Sequence, residues 1–143
     1  MSMKSGANGK TRILTGIDLM QVSQVAASLG RLGDSYMARI CTPEEIAYCN
    51  SSAVMAPARF AARFAVKEAT LKALRLADHG LDLRSIEVKQ AAGGWCELEL
   101  HGRAEELARA AGWLSWSVSL SHEGDYAVAV VTVLADVGQP PTS

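Results

Sequence analysis

The chain has 143 residues, 49% of them hydrophobic, with 14 Lys and Arg against 15 Asp and Glu and a formal net charge of -1. That length suits one globular domain, the even charge balance removes the basic field used by nucleic-acid binders, and the apolar runs are too short and interrupted to span a membrane. Met1 to Lys10 lacks the apolar centre of a signal peptide, and Cys41, Cys49 and Cys96 lack CxxC spacing; a cytoplasmic protein with inert thiols, no disulfide framework and no zinc site is expected.

Residues 1–11 and 138–143 read as loose tails around a domain at 12–137. Arg12 to Leu19 reads as a strand ending at Asp18, followed by a helix from about Met20 to Leu32 that Gly33 suits as an end. Thr42-Pro43-Glu44-Glu45 is a helix start, with Thr as N-cap, Pro at the first position and acids in the first turn. That helix runs to Tyr48 or Asn50. A long helix spans roughly Ala58 to Leu76, and Asp78-His79-Gly80 is a loop. Ile86 to Gln90 and Trp95 to His101 form a hairpin around Gly93-Gly94, and Arg103 to Ala111 is a short helix.

Trp113 to Ser121 alternates, with Trp113, Ser115, Ser117 and Ser119 on one side and Leu114, Trp116, Val118 and Leu120 on the other. His122-Glu123-Gly124-Asp125 is expected to turn, and the apolar run Tyr126 to Leu134 to be a central strand. Helices early and hairpin strands late give an α+β class, a mainly antiparallel sheet packed against one long helix and shorter helices.

Three segments carry chemistry. Gly16-Ile17-Asp18-Leu19 puts a carboxylate where a strand meets a helix; Asp18 caps that helix or binds something. In the long helix, Phe60, Phe64, Leu71 and Leu74 make an apolar stripe that Lys67 and Glu68 interrupt, and a charge pushed toward a core needs a partner or an ion. Glu68 with Lys72 has the spacing of an ordinary helix-surface ion pair, and Arg59, Arg63 and Lys67 recur every four residues as a candidate anion site. Ser121 and His122 are neighbours on a strand and point to opposite faces, so they are not a nucleophile and its base; His122 is a group at a strand end. Two carboxylates among several cations suit Mg²⁺ and a phosphorylated substrate, and neither GxxxxGK[ST] nor GxGxxG occurs.

Taken in order, Gly16-Ile17-Asp18-Leu19, Arg63-Phe64-Ala65-Val66-Lys67-Glu68-Ala69 with Lys72-Ala73-Leu74, and Ser119-Leu120-Ser121-His122 running into Asp125-Tyr126-Ala127-Val128-Ala129 resemble the holo-acyl-carrier-protein synthase family of 4′-phosphopantetheinyl transferases. Thr42-Pro43-Glu44-Glu45 with Tyr48 adds a weaker fourth segment, and the likeness covers about Ile13 to Leu134.

The resemblance implies transfer of phosphopantetheine from coenzyme A to a serine of an apo acyl carrier protein, with release of adenosine 3′,5′-bisphosphate. It implies that Asp18 and Glu68 hold Mg²⁺, that Arg63 and Lys67 contact coenzyme A phosphates, that Lys72 stabilises charge during transfer, and that His122 lies near the phosphate or adenosine end. Asp18 or Glu68, directly or through water, would activate the carrier serine. It further implies a homotrimer with sites between subunits, and no nucleic-acid or membrane partner. A coenzyme A or carrier-binding module without transferase activity is the alternative.

Three segments depart from the family pattern. Met20 to Ala27 carries no charge where the family tends to have basic residues, which predicts a more apolar grip on the carrier. Arg75 to His79 replaces a Gly-rich turn, which changes the loop contacts to coenzyme A. Gly93-Gly94-Trp95 replaces a hairpin segment that usually includes Pro, with little expected consequence.

Overall fold

A computed structural model describes residues 10–76, 80–136 and 138. The chain runs β1 (Thr11–Gln21), α1 (Val22–Leu32), α2 (Asp34–Ile40), α3 (Pro43–Asn50), α4 (Ala56–Ala73), a short 3₁₀ turn (Leu83–Ser85), β2 (Ile86–Gln90), β3 (Cys96–Leu100), α5 (Gly102–Ala110), β4 (Trp113–Glu123) and β5 (Tyr126–Asp136). The architecture is α+β with two antiparallel sheets, β1-β5-β4 and β2-β3, as the sequence leads one to expect.

β5 is central because it is apolar on both faces. Ala127, Ala129, Val131, Val133 and Ala135 are fully buried against α4, and the small side chains of α4 let helix and sheet come close. The closest approach is at Gly16, where an added Cβ would lie 1.8 Å from the Ala69 carbonyl oxygen. Only a residue without a side chain fits, so this glycine sets the height of α4 above β1.

Several boundaries differ from expectation. β1 continues past Asp18 to Gln21 because β5 pairs with it throughout, from Thr11↔Asp136 to Gln21↔Tyr126. Thr11 therefore belongs to the sheet. Residues 1–9 of the expected N-terminal tail, the C-terminal tail apart from Gly138, and Asp78 and His79 of the expected loop lie outside the described residues. α2 has no counterpart in the sequence reading; it is short, and Gly33, at φ 72°, closes α1 and opens α2. β4 runs through His122 to Glu123, so the turn is tighter than expected.

A bulge between Trp113 and Ser115 breaks the alternation of β4. It puts Trp113 on the buried side with Trp116, Val118 and Leu120, and turns Leu114 out to solvent. The hairpin is tied to the larger sheet by the Trp116 indole N–H, which donates to the Leu98 carbonyl at 2.9 Å.

Candidate functional site

Asp18 projects from the inner face of β1, two residues beyond the point where Gly16 meets α4. Its Oδ1 accepts from Lys72 Nζ at 3.2 Å, and Lys72 also donates to the Ile17 carbonyl at 2.9 Å. Asp18 Oδ2 is buried and, among the described residues, takes no hydrogen bond. A carboxylate oxygen shielded from water without a donor is destabilised unless a cation meets it. Glu68 lies one helical turn before Lys72, on the same face of α4. Two carboxylates and a lysine therefore share one patch, and the orphaned oxygen is of the kind a hard divalent ion takes.

Arg59 and Arg63 line a second locality, a cavity of about 410 Å³ bounded also by Tyr48, Gln90, Trp95 and His122. Both guanidiniums stack on the Tyr48 ring, at 4.5 Å for Arg59 and 4.2 Å for Arg63. Arg59 is anchored to the Tyr48 carbonyl and the Ser51 hydroxyl. Arg63 is 3% exposed, and its Nε has no hydrogen-bond partner among the described residues. An unspent guanidinium donor at a cavity wall is an anion-binding feature.

The two localities lie on opposite sides of α4. Lys72 follows Arg63 by nine residues, as Glu68 follows Arg59, and at about 100° per residue each pair is roughly 180° apart around the axis. The strands agree: Asp18 comes from β1 and His122 from β4, which flank β5 on its two edges. One protomer therefore presents a carboxylate–lysine patch and a guanidinium–imidazole cavity that do not face each other.

A sequence model of the 4′-phosphopantetheinyl transferase superfamily (ACPS) matches residues 15–131. Curated relatives named holo-[acyl-carrier-protein] synthase include one from Koribacter versatilis, 43% identical over 118 residues, covering 82% of this chain and 94% of the relative. The chain belongs to this family.

A second relative of that name, from Gloeobacter violaceus, is 40% identical over 83% of this chain and 90% of its own length. Among solved structures, the ACPS–coenzyme A complex from Chronobacterium ammoniagenes aligns with a TM-score of 0.75 and 29% identity, covering 85% of this chain and 96% of that one. The coenzyme A complex of the Helicobacter pylori synthase aligns at 0.73 with 26% identity, over 84% and 99%.

Within this family member, Asp18 pairs with Lys72, which lies one helical turn from Glu68, Arg63 and His122 line one cavity, and Lys67 joins neither group. Lys67 is fully buried; Nζ pairs with Glu45 Oε1 at 2.9 Å and donates to the carbonyls of Leu83, at 3.0 Å, and Ile86. Its ammonium has no path to a phosphate, so the expected coenzyme A contact does not fit its placement. The cause lies in α3. Thr42 and Glu45 form a capping box, and Glu45 then spends Oε1 on Lys67 and Oε2 on the Val88 amide at 2.8 Å. The charge interrupting the apolar stripe is a structural joint between α3, α4 and β2.

Sequence reasoning passed over Tyr48, Gln90 and Trp95 as walls of the cavity, because their meeting depends on how the hairpin folds over α4. It also passed over Glu87, Glu99 and His101, whose ligand-type atoms lie within 4.8 Å of one another. Glu87 and Glu99 face each other across β2 and β3, and His101 Nε2 stands 2.8 Å from Glu87 Oε1. Burial pushes the Glu87 carboxyl up, but hydrogen bonds from His101 and Thr42 outweigh it and hold the group below its ordinary 4.5. This cluster does not include Asp18 or Glu68. Burial pushes the Cys41 thiol up to about 12, and Cys49 and Cys96 are raised by the same cause.

Proposed function

We propose that this chain is a holo-acyl-carrier-protein synthase that transfers the 4′-phosphopantetheine arm of coenzyme A to a serine hydroxyl of an apo carrier protein. The carrier oxygen forms a new bond to the phosphorus bearing pantetheine, the pyrophosphate P–O bond breaks, and adenosine 3′,5′-bisphosphate leaves with the electron pair. The serine proton goes to Asp18 or Glu68, directly or through water. Lys72, beside Asp18, offsets negative charge as it builds on the transferring group. Arg63 and Arg59 hold the phosphates of the departing nucleotide, with His122 beside them.

The observation that carries this reading is the buried, donor-free Oδ2 of Asp18 on the same patch as Glu68 and Lys72. Asp18 and Glu68 would hold Mg²⁺, which neutralises charge on the pyrophosphate oxygens when bound. The three free cysteines suit a reducing compartment, and the cytoplasm is the location proposed.

The division of the site across α4 supports completion between subunits, in a homotrimer. The outer face of the larger sheet supports the same reading. Ile13, Ile17 and Leu19 are 69%, 58% and 61% exposed, and in the pairing register they face Leu134, Val130 and Val128. An apolar sheet face of this kind is a surface for burial against another copy. Leu19→Asp should give a smaller species by light scattering and lose transfer together with assembly.

The deciding measurement is the intact mass of several apo carrier proteins incubated with the enzyme, coenzyme A and Mg²⁺. A mass gain of one phosphopantetheine that disappears in Glu68→Ala is expected. Coenzyme A binding with no modification across a broad carrier panel would select the binding-module reading.

A further inference from the structure

Trp95 is the most exposed aromatic of the chain's described residues, at 63%, yet its position is held firmly. The six-membered ring of the indole lies against Gly93, where an added Cβ would come within 1.8 Å of Cζ3. The turn closes through Ala91 N–H donating to the Trp95 carbonyl at 2.8 Å and Gly94 N–H donating to the Ala91 carbonyl at 3.0 Å. Gln90 then joins this turn to the cationic cavity: its Nε2 donates to the Gly94 carbonyl at 3.1 Å, and its Oε1 accepts from Arg63 at 3.5 Å. One face of the indole thus rests on Gly93 and the rest is open at the wall shared with Arg59, Arg63 and His122.

A fixed, exposed π-surface beside two guanidiniums matches a ligand that joins a flat base to several phosphates. A ring already held in place loses little freedom when a ligand covers it, and a purine stacks on indole regardless of its hydrogen-bonding edge. We infer that Trp95 is the stacking platform for the adenine of coenzyme A, and that Gly93 and Gln90 are the residues that position it. This rests on the reading of coenzyme A as substrate. It also reverses the expectation that Gly93-Gly94-Trp95 has little consequence: the missing side chain of Gly93 lets the indole lie down, and Gly94, at φ 95°, makes the turn that brings it there.

The test uses adenosine 3′,5′-bisphosphate, which has the base, and 4′-phosphopantetheine, which lacks it. The bisphosphate should quench tryptophan fluorescence in the wild-type protein and not in Trp95→Phe, since Trp113 is buried and Trp116 faces the core. Trp95→Ala should weaken the bisphosphate about tenfold, the order expected for one stacked base, and Trp95→Phe far less. 4′-Phosphopantetheine affinity should not change. In turnover, Trp95→Ala should raise KM for coenzyme A and leave kcat at saturation unaltered; Gly93→Ala should reproduce this by displacing the ring.

Wild-type transfer with unchanged bisphosphate affinity in Trp95→Ala overturns the stacking role and leaves the transferase reading standing. A wild-type protein that neither binds coenzyme A nor modifies a carrier overturns both.

Discussion

Asp125 caps helix α1 from 102 residues away in sequence: its Oδ1 accepts the Ser23 amide at 2.9 Å and its Oδ2 accepts the Ser23 hydroxyl. The Asp125 carbonyl accepts the Val22 amide as well, so the β4–β5 turn supplies acceptors that Gln21, the local N-cap, does not. Asp18, the sequence's candidate for this cap, is thereby released for another partner.

The hydrogen bond from the Ser23 hydroxyl holds the Asp125 carboxyl below its ordinary 3.8. A carboxyl depressed in the folded state stabilises fully above its unfolded pKa and loses that contribution as pH falls through the folded value. Asp125→Ala should therefore lower the urea midpoint at neutral pH. The gap to wild type should stay constant above about pH 5 and close under stronger acid.

Gly16→Ala would drive a methyl into the Ala69 carbonyl, which is rigid helix backbone. Overpacking of this kind costs about 1–3 kcal/mol, seen as a lowered denaturation midpoint. The greater loss should be in transfer activity, because β1 must move away from α4 and carry Asp18 from Lys72, reducing kcat more than KM for coenzyme A.

Removing one partner of the Lys67–Glu45 pair leaves the other charge fully buried. Lys67→Met should destabilise by about 3–5 kcal/mol, a large part of the 5–15 kcal/mol typical of a small protein. Lys67→Met with Glu45→Gln should recover part of that, since no net charge stays in the core. Equilibrium unfolding of the single and double variants measures the coupling. A role in holding coenzyme A would instead leave stability intact and raise KM.

Arg75 ends α4 at φ 59°, a left-handed position that glycine normally fills, with Leu76 N–H closing onto the Leu71 carbonyl at 3.1 Å. Arg75→Gly relieves the side-chain clash and gives back part of it as chain entropy, for a net gain of about 0.5–1 kcal/mol. The melting temperature of Arg75→Gly should rise above that of the wild type.

Local signals were legible wherever one segment is enough to create them. Thr42-Pro43-Glu44-Glu45 states its own capping box, the unbroken apolar run of β5 states a central strand, and the charges at 67 and 68 mark a helix whose apolar stripe must find partners for them. The boundaries of β1 and the bulge in β4 were not legible, because a strand extends as far as its partner will pair and bends where packing demands. The inner and outer faces of β4 could not be assigned correctly from alternation alone for the same reason. Nor could the cavity walls Tyr48 and Trp95, which come from a helix and a turn brought together only by folding.

The sequence by itself determined the class of fold and the family, because side-chain types and short spacings are local properties. The tertiary structure alone decided where the candidate site residues stand. It hid Lys67 in an ion pair, gave the capping role to Asp125 and freed Asp18, and set the acids and the arginines on opposite sides of one helix. Burial, pairing and direction around an axis exist only once distant segments have packed together.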